Sequence, residues 1–590
     1  MESPRAAAVI PPAQRKSAVV LVPPCLVRAV VFAAGVVKHA RVGALGLVLT
    51  GVSLAAVAPD VGPRSRSVDL SAYADVRYVD AVHGDNVTGD GSREKPWASL
   101  LHALERIGTP AAGRRAALLV AAGRYSPPTF ALKPRVDLFG GFASFAGAAM
   151  ARDVSTHATV LDGGEVQRIA LGADDVRVDG FHFVRGRVRG KGAALYCDGV
   201  SPTITNCVFR QNRTQSPQPW APAQLHETAH DGGAVFVTNG AAPRIEHCLF
   251  YDNTTECGRG AALAADRRAA PRIIACVFAN NRSGLDDPLR SSDGGAISFF
   301  DRSAGEVSGC VISANVSLTR NDAGGIFLAL WSAPRIADNV FAANDGGDDA
   351  GALFIGGQEH RYGVPLDPYP PAGAFHVLVE RNVFVGNTNS AKNSGAMRVT
   401  MESRATFRDN VITENQGGFY LQRSEITAER NTVWQDWRFV EDKPSLGPSR
   451  LVGNILRGPL DGRVEARATL VRNMSEPAAG GSDSIAVADV FENDGVEGKI
   501  AGVRFDAVTS TTVITVSADL PAASLAGRPV GLGKGKNPQW RVIQRASARE
   551  IVVWGRLEAE TKAATDFTVL RTFSLKPDAP AGIGARVSAK

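Results

Sequence analysis

The sequence predicts an all-β chain wound as a parallel solenoid, and two interleaved columns of residues predict it. In the first column an aromatic or aliphatic residue stands three before an asparagine: Phe209-Arg-Gln-Asn212, Phe250 to Asn253, Phe278 to Asn281, Ile312 to Asn315, Phe341 to Asn344, Phe384 to Asn387 and Ile412 to Asn415. In the second a glycine, mostly followed by a small residue, recurs at Gly192, Gly233, Gly260, Gly295, Gly325, Gly351, Gly395 and Gly418. A self-similar period of this length belongs to stacked units, none of which can bury its apolar side alone.

Between the columns each unit reads as short Val-, Ile- and Phe-rich strands broken by Gly, Asn, Asp or Pro, with no helical period. Gly233-Ala-Val-Phe-Val237 is followed by the breaker Asn239-Gly240-Ala-Ala-Pro243, then by Ile245-Glu-His-Cys248-Leu-Phe250. Parallel strands of successive turns pair at about 4.8 Å, which sets equivalent side chains one above another. Asparagines in such a file hydrogen-bond amide to amide and satisfy the polar groups of a tight bend. The fold class expected is therefore a parallel β-helix, right-handed by the chirality of parallel crossovers.

The remaining elements follow in chain order. Residues 1–58 hold six Lys/Arg against Glu2 and read as a signal or targeting segment: Lys38-His-Ala-Arg41, an apolar run from Val42 to Val57, and a small-x-small close at Ala56-Val-Ala58. The upstream apolar stretch has no role in that scheme and suggests a true start near Val37; the alternative is a two-span membrane anchor. Residues 59–160 form the opening and cap, where Trp97, Leu100, Leu101, Leu104 and Ile107 lie at helical spacing and predict a short helix over the first mouth. Residues 161–470 are the repeats. Residues 471–590, with alternating runs such as Thr511 to Val516, Trp540 to Ile543 and Glu550 to Trp554, predict a small antiparallel β unit covering the other end.

The formal charge of +6 falls to about +1 once the +5 of residues 1–58 is set aside, which leaves no electrostatic footprint for nucleic acid. Of seven cysteines, Cys207, Cys248, Cys276 and Cys310 share one inward column that continues as Asn339, Asn382 and Asn410. A line of stacked positions offers no tetrahedron for a metal and reads as a dry file of small side chains. Cys197 and Cys257 lie elsewhere.

The alternation of Gly294-Gly-Ala-Ile297 or Gly232-Gly-Ala-Val235 with Phe-x-x-Asn resembles the repeats of chlamydial polymorphic outer-membrane proteins and, more broadly, the pectate-lyase-like right-handed β-helix superfamily. Tyr78-Val-Asp-Ala, Gly89 to Trp97 and Val120 to Tyr125 resemble the opening of secreted bacterial members. The resemblance implies a secreted, periplasmic or cell-surface protein that meets polysaccharide, either as an enzyme (lyase before hydrolase) or as a non-catalytic adhesin or glycan-binding solenoid.

Candidate chemistry lies on the seventh and eighth turns, where Lys392, Arg398, Glu402, Tyr420, Gln422 and Arg423 gather, with His360 in the long insertion from Gly357 to Phe375. β-Elimination on a uronic-acid polymer needs a cation to neutralise the sugar carboxylate and a base to take the α-proton. Arg398 and Arg423, expected outward on neighbouring rungs, suit the first role; Lys392, His360 or Tyr420 suit the second. Asp231, Asp293 and Asp349 each precede a repeat glycine, and Asp293, Asp348 and Asp349 are the candidate ligands for calcium, the one cofactor considered. The same carboxylates suit glycoside hydrolysis; Asp348-Asp349 resembles the paired aspartates of polygalacturonases, although the Gly-His-Gly of those enzymes is absent. A stripe of Leu195, Phe236, Leu263, Leu328 and Phe354, if exposed, favours binding over catalysis. The expected partner is an acidic polysaccharide, with no nucleic acid, no membrane span in the mature chain, and a monomeric state.

Overall fold

A computed structural model describes residues 61–145, 150–215, 230–284, 293–318, 322–357, 375–390, 392, 394–435, 440–441, 447–457, 469–471, 473–475, 485–486, 491–533, 538–557, 561 and 565–576, all within one compact unit, Gly51–Lys590. The expected targeting segment 1–58 and His360 lie outside these residues.

Among the described residues the coil carries four parallel sheets of 14, 14, 11 and 7 strands, the short one reaching from Arg187–Val188 to Thr388–Asn389. One full turn shows their order. Val235–Thr238 lies in what we call the glycine sheet, Arg244–Glu246 in the ion-pair sheet, Leu249–Tyr251 in the flank sheet and Thr254–Thr255 in the short sheet. The chain then returns to the glycine sheet at Leu263–Ala265, one turn on. Register is kept from turn to turn: Ile204 pairs with Ile245, Ile245 with Ile273 and Ile273 with Val307. Phe209, Phe250 and Phe278 stack with ring centroids 4.7 Å apart, the spacing of the strands that carry them.

Two sharp corners bound the flank sheet. Each is turned by a left-handed residue, such as His247 (φ 50°) before the flank sheet and Asp252 (φ 55°) after it. A left-handed corner exposes the next backbone N–H, and the inward asparagine of the following coil accepts it. Asn253 N donates to Asn281 Oδ1 at 3.1 Å, Asn253 Nδ2 donates to the same oxygen at 2.9 Å, and Nδ2 also donates to the Phe209 carbonyl at 2.9 Å. The file runs unbroken from Asn212 through Asn253, Asn281, Asn315, Asn344 and Asn387 to Asn415 and ends on Gln435.

The cysteine column is the start of a second such file, at the other corner. Asn339, Asn382, Asn410, Asn431, Asn454 and Asn473 form a ladder of the same kind, and Cys310 N donates to Asn339 Oδ1 at 2.8 Å. Upstream, sulfur takes the oxygen's place: Cys276 N reaches Cys310 Sγ at 3.4 Å and Cys248 N reaches Cys276 Sγ at 3.4 Å. All four thiols are buried and reduced.

The first mouth carries the expected helix, Leu100–Arg106, capped by Ser99 and burying Leu100, Ala103 and Leu104 against Val79, Trp97 and Leu118. The C-terminal unit is a closed six-stranded antiparallel barrel built from Val496–Asp506 to Asp566–Val569. Its position differs from the end cover expected of residues 471–590. The barrel lies along the side of the coil, where Trp540, Val542, Trp554, Leu570 and Phe573 pack on Val208, Leu249, Val277, Val311, Val340, Val383 and Val411, the outward column of the flank sheet. That sheet is apolar on both faces because both are buried. Gly386 lies under Trp540, whose Cδ1 stands 2.0 Å from where a β-carbon would be.

Candidate functional site

Of the coil's outer faces, the flank is covered and the ion-pair sheet is a lattice of paired charges, among them Arg244–Glu246, Arg335–Glu380 and Arg408–Glu380. The glycine sheet carries the chemistry. Its outward column reads Tyr196, Phe236, Ala264, Ser298, Phe327, Phe354, Arg398, Tyr420, one residue per coil. The apolar stripe expected at one offset therefore divides: Phe236 and Phe354 point outward, whereas Leu195, Leu263 and Leu328 belong to inward columns and the core. Phe327 and Phe354 are themselves buried, in a small outer cluster with Phe300, Ala329 and Leu330, so no exposed apolar stripe forms there.

A second file stands four residues before each strand: Lys191, Asp231, Arg259, Asp293, Asp322 and Asp349. Backbone hydrogen bonds set the first five one above the next, from Gly192 N to the Asp231 carbonyl (3.2 Å), Gly232 N to Arg259 (2.9 Å), Gly260 N to Asp293 (2.9 Å) and Gly294 N to Asp322 (2.9 Å). Asp231 and Arg259 form a buried pair at 2.6 Å. The next three positions are all acidic. Asp293 Oδ1 accepts from Asp322 N at 3.1 Å. Asp349 pairs with Arg398 Nη1, reached from the outward column of the following coil. Arg398 Nη2 donates to Gln422 Oε1 at 3.0 Å, Thr400 Oγ1 donates to the same oxygen at 3.0 Å, and the guanidinium lies 5.1 Å from the Tyr420 ring centroid.

Burial pushes the Asp322 carboxyl well above the usual carboxylate range, and the neighbouring charges of Asp349 and Asp293 push it further; Arg398 opposes them, and a hydrogen bond from the protonated form to Asp349 adds to the rise. The arrangement is thus a carboxyl whose protonated form is favoured beside a second carboxyl paired with a guanidinium, the kind of separation on which acid–base pairs depend.

Four of the residues named from the sequence, Arg398, Tyr420, Gln422 and Asp349, come together here. Arg423 does not stand beside Arg398: the register partner of Arg398 is Tyr420, and Arg423 occupies the left-handed turn (φ 50°) that leaves the sheet, exposed, its carbonyl accepting from Glu402 N at 2.9 Å. Strand alternation fails for it because the strand ends at Leu421. Lys392 is exposed at another left-handed turn (φ 57°), its N–H bonded to the Asn389 carbonyl at 3.1 Å. Asp348 is exposed, and its carbonyl accepts from Asn389 Nδ2 at 2.6 Å. Among the described residues no three His, Cys, Asp or Glu side chains are placed to hold a metal ion; Asp293 and Asp349 are already engaged by a backbone N–H and a guanidinium.

Asp322 was absent from the sequence candidates. The glycine alignment hid it, since Gly325 had been matched to Gly295 while the structure pairs Ile326 with Ile297 and so sets Asp322 level with Asp293. Counting back from the apolar strand residue, rather than from glycine, places it in the column.

The segment 170–346 matches the family described as "Right handed beta helix region". No curated protein matches the chain. Among solved structures, the crystal structure of Dettilon tailspike protein (gp208) shares 10% identity, covering 84% of this chain and 93% of that one, at a TM-score of 0.20. The chain is a right-handed parallel β-helix protein with a small antiparallel barrel near its C-terminus. Among the described residues no helix is long and apolar enough to cross a membrane.

Proposed function

We propose that this protein acts on polysaccharide outside the cell, at a centre formed by Asp322, Asp349 and Arg398, and that the reaction is hydrolysis of a glycosidic bond. What supports this reading is the placing of Asp322, whose pKa burial and the neighbouring charges of Asp349 and Asp293 raise, beside Asp349 paired with Arg398. In this reading Asp322 would give its proton to the leaving glycosidic oxygen and Asp349 would take a proton from the incoming water once the hydrogen bond between the two carboxyls opens to admit sugar and water, while Arg398 holds Asp349 in place. The side chains of Arg398 and Asp349 remain 16% and 19% exposed, enough for a ligand to reach them. Tyr420, on the coil next to Arg398, offers an aromatic edge to a sugar ring.

β-Elimination keeps Arg398 but loses its second cation, because Arg423 is on the turn and Lys392 on another. Arg398 itself is already held by Asp349 and Gln422, which leaves it less free to neutralise a uronate. The test is incubation of the full chain with neutral and acidic polysaccharides, following new reducing ends and the absorbance of unsaturated uronides in parallel. Hydrolysis gives reducing ends without unsaturation, and Asp322→Asn abolishes them. Unsaturated products would transfer the centre to elimination. Retained binding with neither product would make the protein a glycan-binding solenoid.

A further inference from the structure

The turns that leave the glycine sheet form a ridge along the coil, and three of them make a basic cleft that the proposed reaction does not use. Asn239, Gly240, Arg267, Arg268, Asp301 and Arg302 line an open cleft of about 400 Å³. The tips stand one above another: Gly240 N donates to the Arg267 carbonyl at 3.1 Å and Arg268 N to the Asp301 carbonyl at 2.9 Å. Asp301 is committed to Arg302 Nε at 2.9 Å.

Arg267 and Arg268 are different. Both are exposed, and neither guanidinium has an ion-pair partner among the described residues, whereas on the ion-pair sheet arginine after arginine is neutralised by a carboxylate. Their backbone is also costly. Both lie in the left-handed region (φ 52° and 61°), where the coil before them uses Asn239-Gly240 (φ 56° and 74°), the pair such a turn favours. The same left-handed pair recurs along the ridge at Asp301-Arg302, Leu330-Trp331 and Met401-Glu402, so the turn takes many residue types and does not itself call for two arginines. Beside the cleft, Arg267 lies close enough to Tyr196 for its charge to act on the phenol. Arg168 stands 4.9 Å from the centroid of the same ring, which is only part-buried.

We infer that this cleft is an anion subsite for a uronate-bearing polysaccharide, with Arg267 and Arg268 forking onto sugar carboxylates. The inference rests on the proposed action on polysaccharide and names the acidic class of that substrate. The cleft and the acid pair lie on opposite edges of the same sheet: Arg268 follows its strand, Asp349 precedes the strand three coils on, so a chain joining them would cross the sheet's outer face as well as advance about 14 Å along the axis at about 4.8 Å per coil. A few sugar residues span that distance. Nucleic acid is disfavoured, because the unpaired cations here are two arginines in one cleft and not the basic stripe that tracks a phosphate backbone.

The test exchanges Arg267-Arg268 for Asn-Gly, the pair of the preceding coil, so that the turn is relieved rather than damaged. Binding of the full chain to polygalacturonate, alginate, neutral dextran and single-stranded DNA is measured for wild type, the double variant and Asp322→Asn. The expected result is a melting temperature equal to or above wild type, affinity for the uronate polymers reduced by roughly tenfold or more, as for loss of two charge-assisted forks, and uronate binding kept by Asp322→Asn. Uronate binding equal in wild type and double variant overturns the subsite and leaves the proposed function standing. No polysaccharide bound or cleaved by wild type overturns both. DNA bound through Arg267 and Arg268 in place of uronate overturns the subsite in favour of nucleic acid.

Discussion

Asn281→Ala removes one rung from the middle of the asparagine file, and the loss can be worked from its bonds. The Asn281 Oδ1 accepts from Asn253 N (3.1 Å) and Asn253 Nδ2 (2.9 Å), and its own Nδ2 donates to Asn315 Oδ1 (2.9 Å) and the Phe250 carbonyl (3.0 Å). All of these groups are buried. After truncation the Asn253 backbone N–H has no acceptor, while its amide keeps one of two, the Phe209 carbonyl. Asn315 Oδ1 still receives the backbone N–H of residue 281. One full orphan donor and one half-satisfied amide, with the lost second bond to the Phe250 carbonyl and the void left by the amide, sum to a loss of about 3 kcal/mol. Urea unfolding followed by far-UV circular dichroism measures it, and hydrogen exchange at the Asn253 amide locates it. In a stacked coil the defect falls on nearest neighbours. A loss below about 1 kcal/mol, with Asn253 exchange unchanged, would refute the view that amide files hold the corners.

The other predictions follow from the same contacts. Cys310→Asn extends the second file by one rung: the new amide can donate to Asn339 Oδ1 and accept from Cys276 N, now 3.4 Å from sulfur, for a gain of about 0.5–1 kcal/mol in urea unfolding. Gly386→Ala drives a β-carbon into Trp540 at a left-handed corner (φ 62°) and forces the barrel off the flank, so limited proteolysis releases the barrel sooner and tryptophan emission shifts to the red. Chelation of divalent cations leaves the melting temperature and any cleavage unchanged, since Arg398 already supplies the positive charge beside Asp349. Asp322→Asn stabilises the fold while abolishing cleavage. The folded protein raises this carboxyl above its ordinary 3.8, so ionisation costs native stability as pH climbs above that value. The variant's advantage is therefore present at neutral pH and disappears as pH falls below about 4, which unfolding curves across that range can check.

The coil was legible because its side chains repeat in files that only parallel stacking explains; Asn253, Asn281 and Asn315 align as their spacing implied. The same evidence held a message about the barrel that the columns obscured. In Cys248-Leu-Phe250, Cys276-Val-Phe278 and Asn382-Val-Phe384 the residue before the inward phenylalanine is apolar although it must point outward. A strand that is apolar on both faces is covered on both, and a sheet wall long enough to need a cover predicts a partner on the flank rather than over an end.

The site resisted sequence reading for a different reason. Its members come from three coils and two structural roles: Asp322 and Asp349 from the approach to the strand, Arg398 from the strand's outward column. Within one coil, strand alternation gives direction correctly, as it does for Arg398 and Tyr420. It gives nothing at the left-handed turns, which is why Arg423 was set beside Arg398 and why Arg267 and Arg268 drew no notice. Register between coils is set by the buried apolar residue, because a one-residue slip there would turn the core outward, whereas glycine can shift by a position at little cost. Aligning on Ile297, Ile326 and Leu353 brings Asp293, Asp322 and Asp349 into one file and makes the like-charge crowding visible before any coordinates. Three carboxylates at the coil spacing repel unless one keeps its proton, so the acid pair follows from register alone, and the arginine that holds it follows from the next coil.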